Sequence, residues 1–455
     1  MNWSTHLLNA YELINAKETP NYNDQHKCLL PLSHEYLTAS IEVELDKKGN
    51  FIDATFITDP VDKVTISPVT TFSANRSNNT APHGLHDSLS YLSGNNAEKH
   101  KEYLTNLRFW IDHDDFAHQQ LMPIYKYVMS KSILKDLETI GLISNKNGVI
   151  KPIKKVDLKG DLGKATLRFK VRGFQKPWQN KSFFNSYHNY FLTQLHADGL
   201  CYVTGEETVQ APAHPRNVRF SGDSAKLISI NNKTKLSYQG RFDDSSQVAG
   251  LSYSASQKIH NALKWLVRNH SYKVDGRVFI YWSTNNIKLP TVFDSSFKLL
   301  DDYPHVNGTD DLFAHLKEEF DGSQVISFVL DAPTKGRLSI MDYSQMNAKT
   351  YLNNLHHYHQ TYAIDDYNSY SDQYDNGALS IVDLAKLKAD PASLGVDVSV
   401  ISQMVLHKKD FPAPLKRIIY KRLSKESIGE QERDRLISLS ATLATLDNPS
   451  FANTK

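Results

Sequence analysis

The stretch from Leu37 to Thr58 constrains the fold most. Leu37-Thr38-Ala39-Ser40-Ile41-Glu42-Val43-Glu44-Leu45 alternates apolar and polar residues, Lys47-Lys48-Gly49-Asn50 supplies a turn, and Phe51-Ile52-Asp53-Ala54-Thr55-Phe56-Ile57-Thr58 returns. A period of two lays one face of each strand on a core and turns the other to polar surroundings, which predicts a hairpin. A polar segment, residues 73–84, follows; it is too rich in Ser, Asn, Pro and Gly for a regular element.

Helical periodicity then takes over. Glu98 to Leu107 and Phe116 to Ile140 space apolar residues three and four apart, with a break near Asp112-His113-Asp114-Asp115. Lys164 to Val171 reads as a strand, Lys181 to His196 as a helix, and Leu200 to Glu207 as a buried strand ending in a glycine turn. Ser252 to Asn269 reads as a helix and Val278 to Trp282 as a strand. A mixed, acid-rich region lies beyond Pro290, and a helical end starts at Ser380. At 455 residues the chain exceeds one ordinary core. The expected class is α+β and multi-domain, with mixed sheets and helices in the N-terminal and central parts and a mostly helical C-terminal end. The expected regions are 1–145, 146–290, 291–380 and 381–455, the last with a disordered tail.

Cys28 and Cys201 are the only cysteines, too few for a disulfide framework or a Cys-rich zinc site. The first residues carry no basic-then-apolar leader, and no apolar run approaches the roughly 20 residues that span a bilayer. A cytoplasmic protein with no membrane partner is expected. Fifty-two basic residues against 50 acidic ones leave a net charge of +2, so any polyanion site must be local. One stretch qualifies. Lys131 to Lys181 holds thirteen Lys or Arg against four Asp or Glu, among them Lys151, Lys154, Lys155, Lys159, Arg168, Lys170 and Arg172. Phe169, Phe174 and Trp178 are interleaved. Such a stretch either tracks a nucleic-acid backbone and stacks on bases, or is a solvated hairpin with its aromatics in the core.

Catalytic patterns are sparse. The pairs His86-Asp87 and His113-Asp114, with His83, His100 and His118 near them, suggest a metal-dependent nuclease on paper. Nothing in the pattern enforces a ligand face, and a capping or surface role is the plainer assignment. His356-His357-Tyr358-His359 reads as an exposed helical face without a carboxylate at useful spacing. No phosphate-binding G-x-x-x-x-G-K-[ST] loop and no G-x-S-x-G elbow occurs. Cys201 reads as a small core residue rather than an activated thiol. No catalytic group, cofactor or metal is expected.

An ordered set of segments resembles the large-subunit family of type I-C CRISPR surveillance complexes. Arg76-Ser77-Asn78-Asn79 with Pro82, Asp87, Tyr91 and Gly94 is similar to that family's N-terminal loop. Leu200-Cys201-Tyr202-Val203-Thr204-Gly205-Glu206 resembles its central Cys-Leu-Val-Thr-Gly-Glu segment. His214-Pro215, Val218, Gly222, Ser229-Ile230-Asn231, Ser237-Tyr238-Gln239-Gly240, the helix Ala255 to Leu266 and Val278 to Trp282 follow in the family's order. Ala332-Pro333-Thr334-Lys335-Gly336-Arg337-Leu338-Ser339 resembles its Ser-Pro-Asn-x-x-Arg-x-Ser turn, with Thr334 in place of the Asn.

The resemblance implies a DNA-binding subunit that reads the protospacer-adjacent motif (PAM) in double-stranded target DNA, promotes R-loop formation and recruits a helicase-nuclease. The implied partners are backbone subunits bound to CRISPR RNA and the handle-binding processing subunit. It further implies that Arg76, Ser77, Asn78 and Asn79 contact the PAM. The basic stretch would meet DNA or guide-RNA backbone. The family's C-terminal helical bundle is not recognisable before Lys455, so separate small subunits are expected. The alternatives are the metal-dependent nuclease and an inhibitory or decoy form of the large subunit.

Overall fold

The computed structural model describes residues 2–17, 28–74, 76, 80–113, 115–146, 149–154, 161–195, 198–229, 250–285, 289–424 and 428–448. The chain forms two compact units, one of residues 1–269 with 335–337 and one of residues 270–334 with 338–455.

The first unit contains, in chain order, α1 (Trp3–Lys17), β1 (His34–Leu45), β2 (Phe51–Phe56), β3 (Val64–Pro68), α2 (Thr71–Ala74), β4 (Asp87–Ser88), α3 (Leu89–Leu92), α4 (Ala97–His113), α5 (Asp115–Met129) and α6 (Ile133–Thr139). It continues with β5 (Ile143–Lys146), β6 (Val149–Pro152), β7 (Thr166–Val171), α7 (Lys181–Leu192), β8 (Asp198–Leu200), β9 (Glu207–Val209) and α8 (Tyr253–Asn269). The predicted hairpin is β1–β2, pairing Ile41 with Phe56 and Glu44 with Asp53. β1 is the hub of a sheet ordered β2-β1-β7-β4, and its first half also pairs antiparallel with β3.

β1 and β7 run parallel, with Glu42 opposite Arg168 and Glu44 opposite Lys170. Period-two alternation sends Ile41, Val43, Leu45, Leu167, Phe169 and Val171 into the core, all at most 2% exposed. There they join Tyr103, Leu107 and Trp110 of α4, Ile124 and Val128 of α5, and Phe183 and Tyr187 of α7. The predicted helix break at 112–115 is the α4–α5 boundary. α8 is buried around nearly its whole circumference. Such a helix must satisfy its polar groups internally: Lys264 pairs with Glu35, and the Asn261 amide donates to the Leu30 carbonyl at 3.1 Å.

The segment Leu200–Glu207 departs from the predicted strand. β8 and β9 are short, and the residues between them turn back, with the Gly205 amide donating to the Cys201 carbonyl at 2.8 Å. Gly205 sits at φ +75°, a left-handed conformation that ends a strand. Cys201 is buried, as expected, while Tyr202 is 62% exposed.

The second unit contains β10 (Ser271–Val274), β11 (Arg277–Ser283), α9 (Ser296–Asp302), α10 (Thr309–Glu319), β12 (Gln324–Thr334), β13 (Arg337–Asn347, whose first residue belongs to the first unit) and α11 (Ala348–Thr361). β14 (Ala363–Asn368), β15 (Gln373–Ala378), α12 (Ile381–Lys386), α13 (Leu394–Leu406), α14 (Ala413–Leu423) and α15 (Glu430–Asp447) complete it. Its sheet is ordered β10-β11-β12-β13, and its core joins Phe279, Tyr281 and Val329 to Leu312, Leu355, Ile401 and Leu439 of the helices. The architecture is the expected α+β class with a mostly helical end from Ile381.

Candidate nucleic-acid interface

Arg76 lies at the base of the polar loop. Its Nη2 donates to Asp87 Oδ1 at 2.5 Å and its Nη1 to Asp87 Oδ2 at 2.9 Å. Nη1 also reaches the Ala81 carbonyl at 3.1 Å, and the guanidinium stacks 4.5 Å from the centre of the Tyr91 ring. Asp87 is fully buried on β4, which pairs with β7 through Asp87 opposite Leu167. Its carboxylate also accepts from the His83 and Ser88 backbone amides at 2.8 and 2.6 Å. From the other side Arg216 donates to the Ala74 and Arg76 carbonyls at 3.2 and 2.9 Å. The two ends of the loop are thus tied to each other and to the main sheet. Ser77, Asn78 and Asn79 lie outside the described residues. Arg76 holds the loop's base through a bidentate, charge-assisted pair, a role its sequence position does not announce.

The basic stretch divides in two. Arg168, expected at a nucleic-acid backbone, is instead fully buried. It donates to Glu42 at 2.6 and 2.9 Å, to the Asp62 carboxylate and carbonyl at 2.9 and 2.6 Å, and to Thr65 at 3.3 Å. Five bonds occupy all five guanidinium donors. Lys170 bridges Glu42 and Glu44 at 2.8 and 3.2 Å, and Arg172 meets Glu44 at 2.6 Å. The cause is the parallel register: the polar face of β1 is acidic and that of β7 basic, so the strands neutralise each other. Burial would raise the Glu42 carboxyl, but Lys170 and Arg168 outweigh it and hold it below the ordinary carboxylate range. Trp178 and Phe169 are 1% and 0% exposed, so these aromatics belong to the core.

Lys151 on β6, Lys154 after it, Lys164 and Lys181 are exposed, and none has a carboxylate partner among the described residues. Lys155 and Lys159 lie outside the described residues.

Among the described residues the paired histidines do not assemble a metal site. The Asp87 oxygens are taken by Arg76, His83 and Ser88. His86 Nδ1 faces the Phe169 amide at 3.3 Å, and its ring meets Trp178 edge-on. His113 stands beside the Tyr190 ring, and Asp114 lies outside the described residues. Among the described residues no group of three His, Cys, Asp or Glu is placed to hold a metal ion. In the second unit, His356 on α11 does have a carboxylate, Asp310 at 2.7 Å. His359 is buried against Ser296 at 2.8 Å rather than exposed. Burial would raise the Cys201 thiol, but hydrogen bonds from Ser252 and Thr204 outweigh it and lower the thiol to about 7, which its sequence context does not suggest.

A family model for the CRISPR-associated protein Cas_Csd1 matches residues 7–445. The chain belongs to this family. Membership makes it the large subunit of a type I-C Cascade, a ribonucleoprotein complex. No curated protein matches the chain. The Cas_Csd1 match spans both compact units, and the Arg76–Asp87 clamp and the β1–β7 ion ladder both lie within it. Among the described residues no helix of this large subunit is long and apolar enough to cross a membrane.

Proposed function

We propose that this large subunit reads the PAM in duplex DNA with the loop that contains Ser77, Asn78 and Asn79, promotes R-loop formation and recruits a helicase-nuclease. In this role it works beside CRISPR RNA-bound backbone subunits and the handle-binding processing subunit, while guide pairing reads the rest of the target, a division of labour known from a single-protein effector. The observation that carries the reading is the Arg76–Asp87 clamp. It gives a short polar segment a base fixed to a sheet, as positioning small donors and acceptors against base edges requires. Arg76 serves the loop from beneath, and the exposed Lys151, Lys154, Lys164 and Lys181 supply backbone attraction.

Asn78→Ala tests it. The substitution should weaken binding of PAM-bearing duplex by about 1–3 kcal/mol, the usual size of a single base-edge interaction, and affect PAM-less duplex less. Equal weakening on both duplexes would show that the loop positions DNA without reading it.

A further inference from the structure

Residues 217–223 form a closed turn. The Asn217 amide donates to the Asp223 carbonyl at 3.0 Å, and the Asp223 amide returns to the Phe220 carbonyl at 3.1 Å. The Gly222 amide donates to the Asn217 side chain at 3.1 Å. Arg219 grips Asp223 through Nε at 2.9 Å and Nη2 at 3.2 Å. Asn217 at φ 61° and Gly222 at φ +89° make the reversal possible. Val218 is buried and anchors the turn, while Phe220 at its tip is 57% exposed. Arg219 lies 5.4 Å from the centre of the Phe220 ring. An apolar ring held outward by this many bonds is a presented surface, since hydrophobic burial favours the opposite orientation.

The flanks of the turn are cationic. Arg216 precedes it and directs its bonds to the uncharged Ala74 and Arg76 carbonyls. Lys226 follows it, half-buried, next to Arg337 in a parallel bridge. The Lys226 amide donates to the Gly336 carbonyl at 3.3 Å and Ser224 Oγ to the Lys335 carbonyl at 2.7 Å. The exposed residues Lys335 and Arg337, which belong to the first unit, are thereby brought beside Lys226. Among the described residues none of Arg216, Lys226, Lys335 and Arg337 has a carboxylate within ion-pair distance. Burial and the neighbouring Arg216 both lower the Lys226 amine, the condition an incoming anion relieves.

We propose that this knuckle is a binding site for an unpaired nucleotide, with Phe220 stacking on the base and Arg216, Lys226, Lys335 and Arg337 holding the flanking phosphates. An aromatic platform edged by uncompensated cations is the chemistry of single-strand binding. Duplex DNA keeps its base faces stacked and offers the ring nothing comparable. The inference rests on the chain being a nucleic-acid-binding subunit but not on which residues read the PAM. The unpaired nucleotide has two sources, a displaced DNA strand or the guide RNA.

The full-length protein is titrated into fluorescein-labelled dT15 and rU15, with fluorescence anisotropy as the readout. Phe220→Leu, which keeps apolar bulk and removes the ring, should weaken binding about tenfold, and Phe220→Trp should retain it. The double variant Lys226→Gln/Arg337→Gln should reduce the log–log salt slope by about 1.4, at about 0.7 per phosphate no longer neutralised. Thermal unfolding should be unchanged in the Phe220 variants, since the ring is outside the core. Tighter binding of dT15 assigns the site to a displaced strand, and tighter binding of rU15 assigns it to guide RNA. Equal affinity of the wild type and Phe220→Leu for both oligonucleotides, with an unaltered salt slope in the double variant, overturns the proposal and leaves the knuckle as a protein-binding surface. Loss of single-strand affinity in Phe220→Leu alongside unchanged PAM selectivity in Asn78→Ala would sink the loop assignment alone, and the reverse pattern would sink this one alone.

Discussion

The guanidinium of Arg168 lies 4.2 Å from the centre of the Trp178 ring while its nitrogens reach Glu42, Asp62 and Thr65. One side chain therefore ties β7 to β1, to the loop before β3, and to the segment that leads into α7. A buried cation with every donor used is costly to remove, because its partner Glu42, 12% exposed, remains in a poorly solvated place.

Arg168→Ala should destabilise the first unit by about 3–5 kcal/mol. Tryptophan fluorescence during urea unfolding checks this, since Trp3, Trp110, Trp178 and Trp265 lie in that unit and only Trp282 in the other. The salt slope of DNA binding should stay unchanged in Arg168→Lys. A flatter slope would return Arg168 to the backbone-binding set.

The same residue shows where sequence legibility ended. Charge counting treats Arg168, Lys170 and Arg172 as a basic run and cannot see that β1, more than 120 residues earlier, supplies Glu42 and Glu44 in parallel register. Long-range parallel pairing leaves no local signal, whereas the β1–β2 hairpin is written in its own turn. Leu200–Glu207 misled for the opposite reason: its apolar run imitates a buried strand, while the left-handed Gly205 decides the turn. The helices α4, α5 and α8 were legible because one strong periodicity governs each. Of the candidate site, the loop's composition was legible, but the pairing of Arg76 with Asp87, eleven residues on, follows no helical or strand spacing.

That pairing leads to a second expectation. Arg76→Lys keeps the charge but loses the planar two-point grip on Asp87. Binding of PAM duplex should weaken several-fold, with selectivity against PAM-less duplex falling in parallel, while single-strand affinity holds. Competition titrations with both duplexes decide it. Retained selectivity would mean that the loop does not need its clamp.

Acid should weaken the first unit. Burial lowers His34, His86 and His260 to about 3, and His83, His188 and His214 to about 4. The ordinary imidazole value is 6.5, so the unfolded chain binds more protons than the folded one between these limits. Stability is then complete above about pH 6.5 and declines as the pH falls toward 4, by on the order of 1–2 kcal/mol per buried imidazole at pH 5. Urea midpoints from tryptophan fluorescence at pH 7.5 and 5.0 check the sign. A midpoint that does not fall would show that these rings are not held neutral by burial.

The exposed lysines give the last expectation. Lys151 and Lys154 lie on and just after β6, and Lys164 stands at the entry to β7, so the three share one stretch of chain and form no ion pair with a carboxylate among the described residues. On the β7 ladder each cation is answered by β1, and Arg172 already donates its Nε to Glu44 at 2.6 Å. At Lys151, Lys154 and Lys164 no ion pair competes among the described residues, so their charge is available to a phosphate backbone. Lys151→Gln, Lys154→Gln and Lys164→Gln together should reduce the log–log salt slope of duplex binding by about 0.9 for each phosphate no longer neutralised, equally for PAM-bearing and PAM-less DNA, while Arg172→Gln should leave it within error. A triple variant with the wild-type slope would place these lysines on solvent or on a protein partner, and a selective weakening on PAM duplex would mean that they help to read sequence.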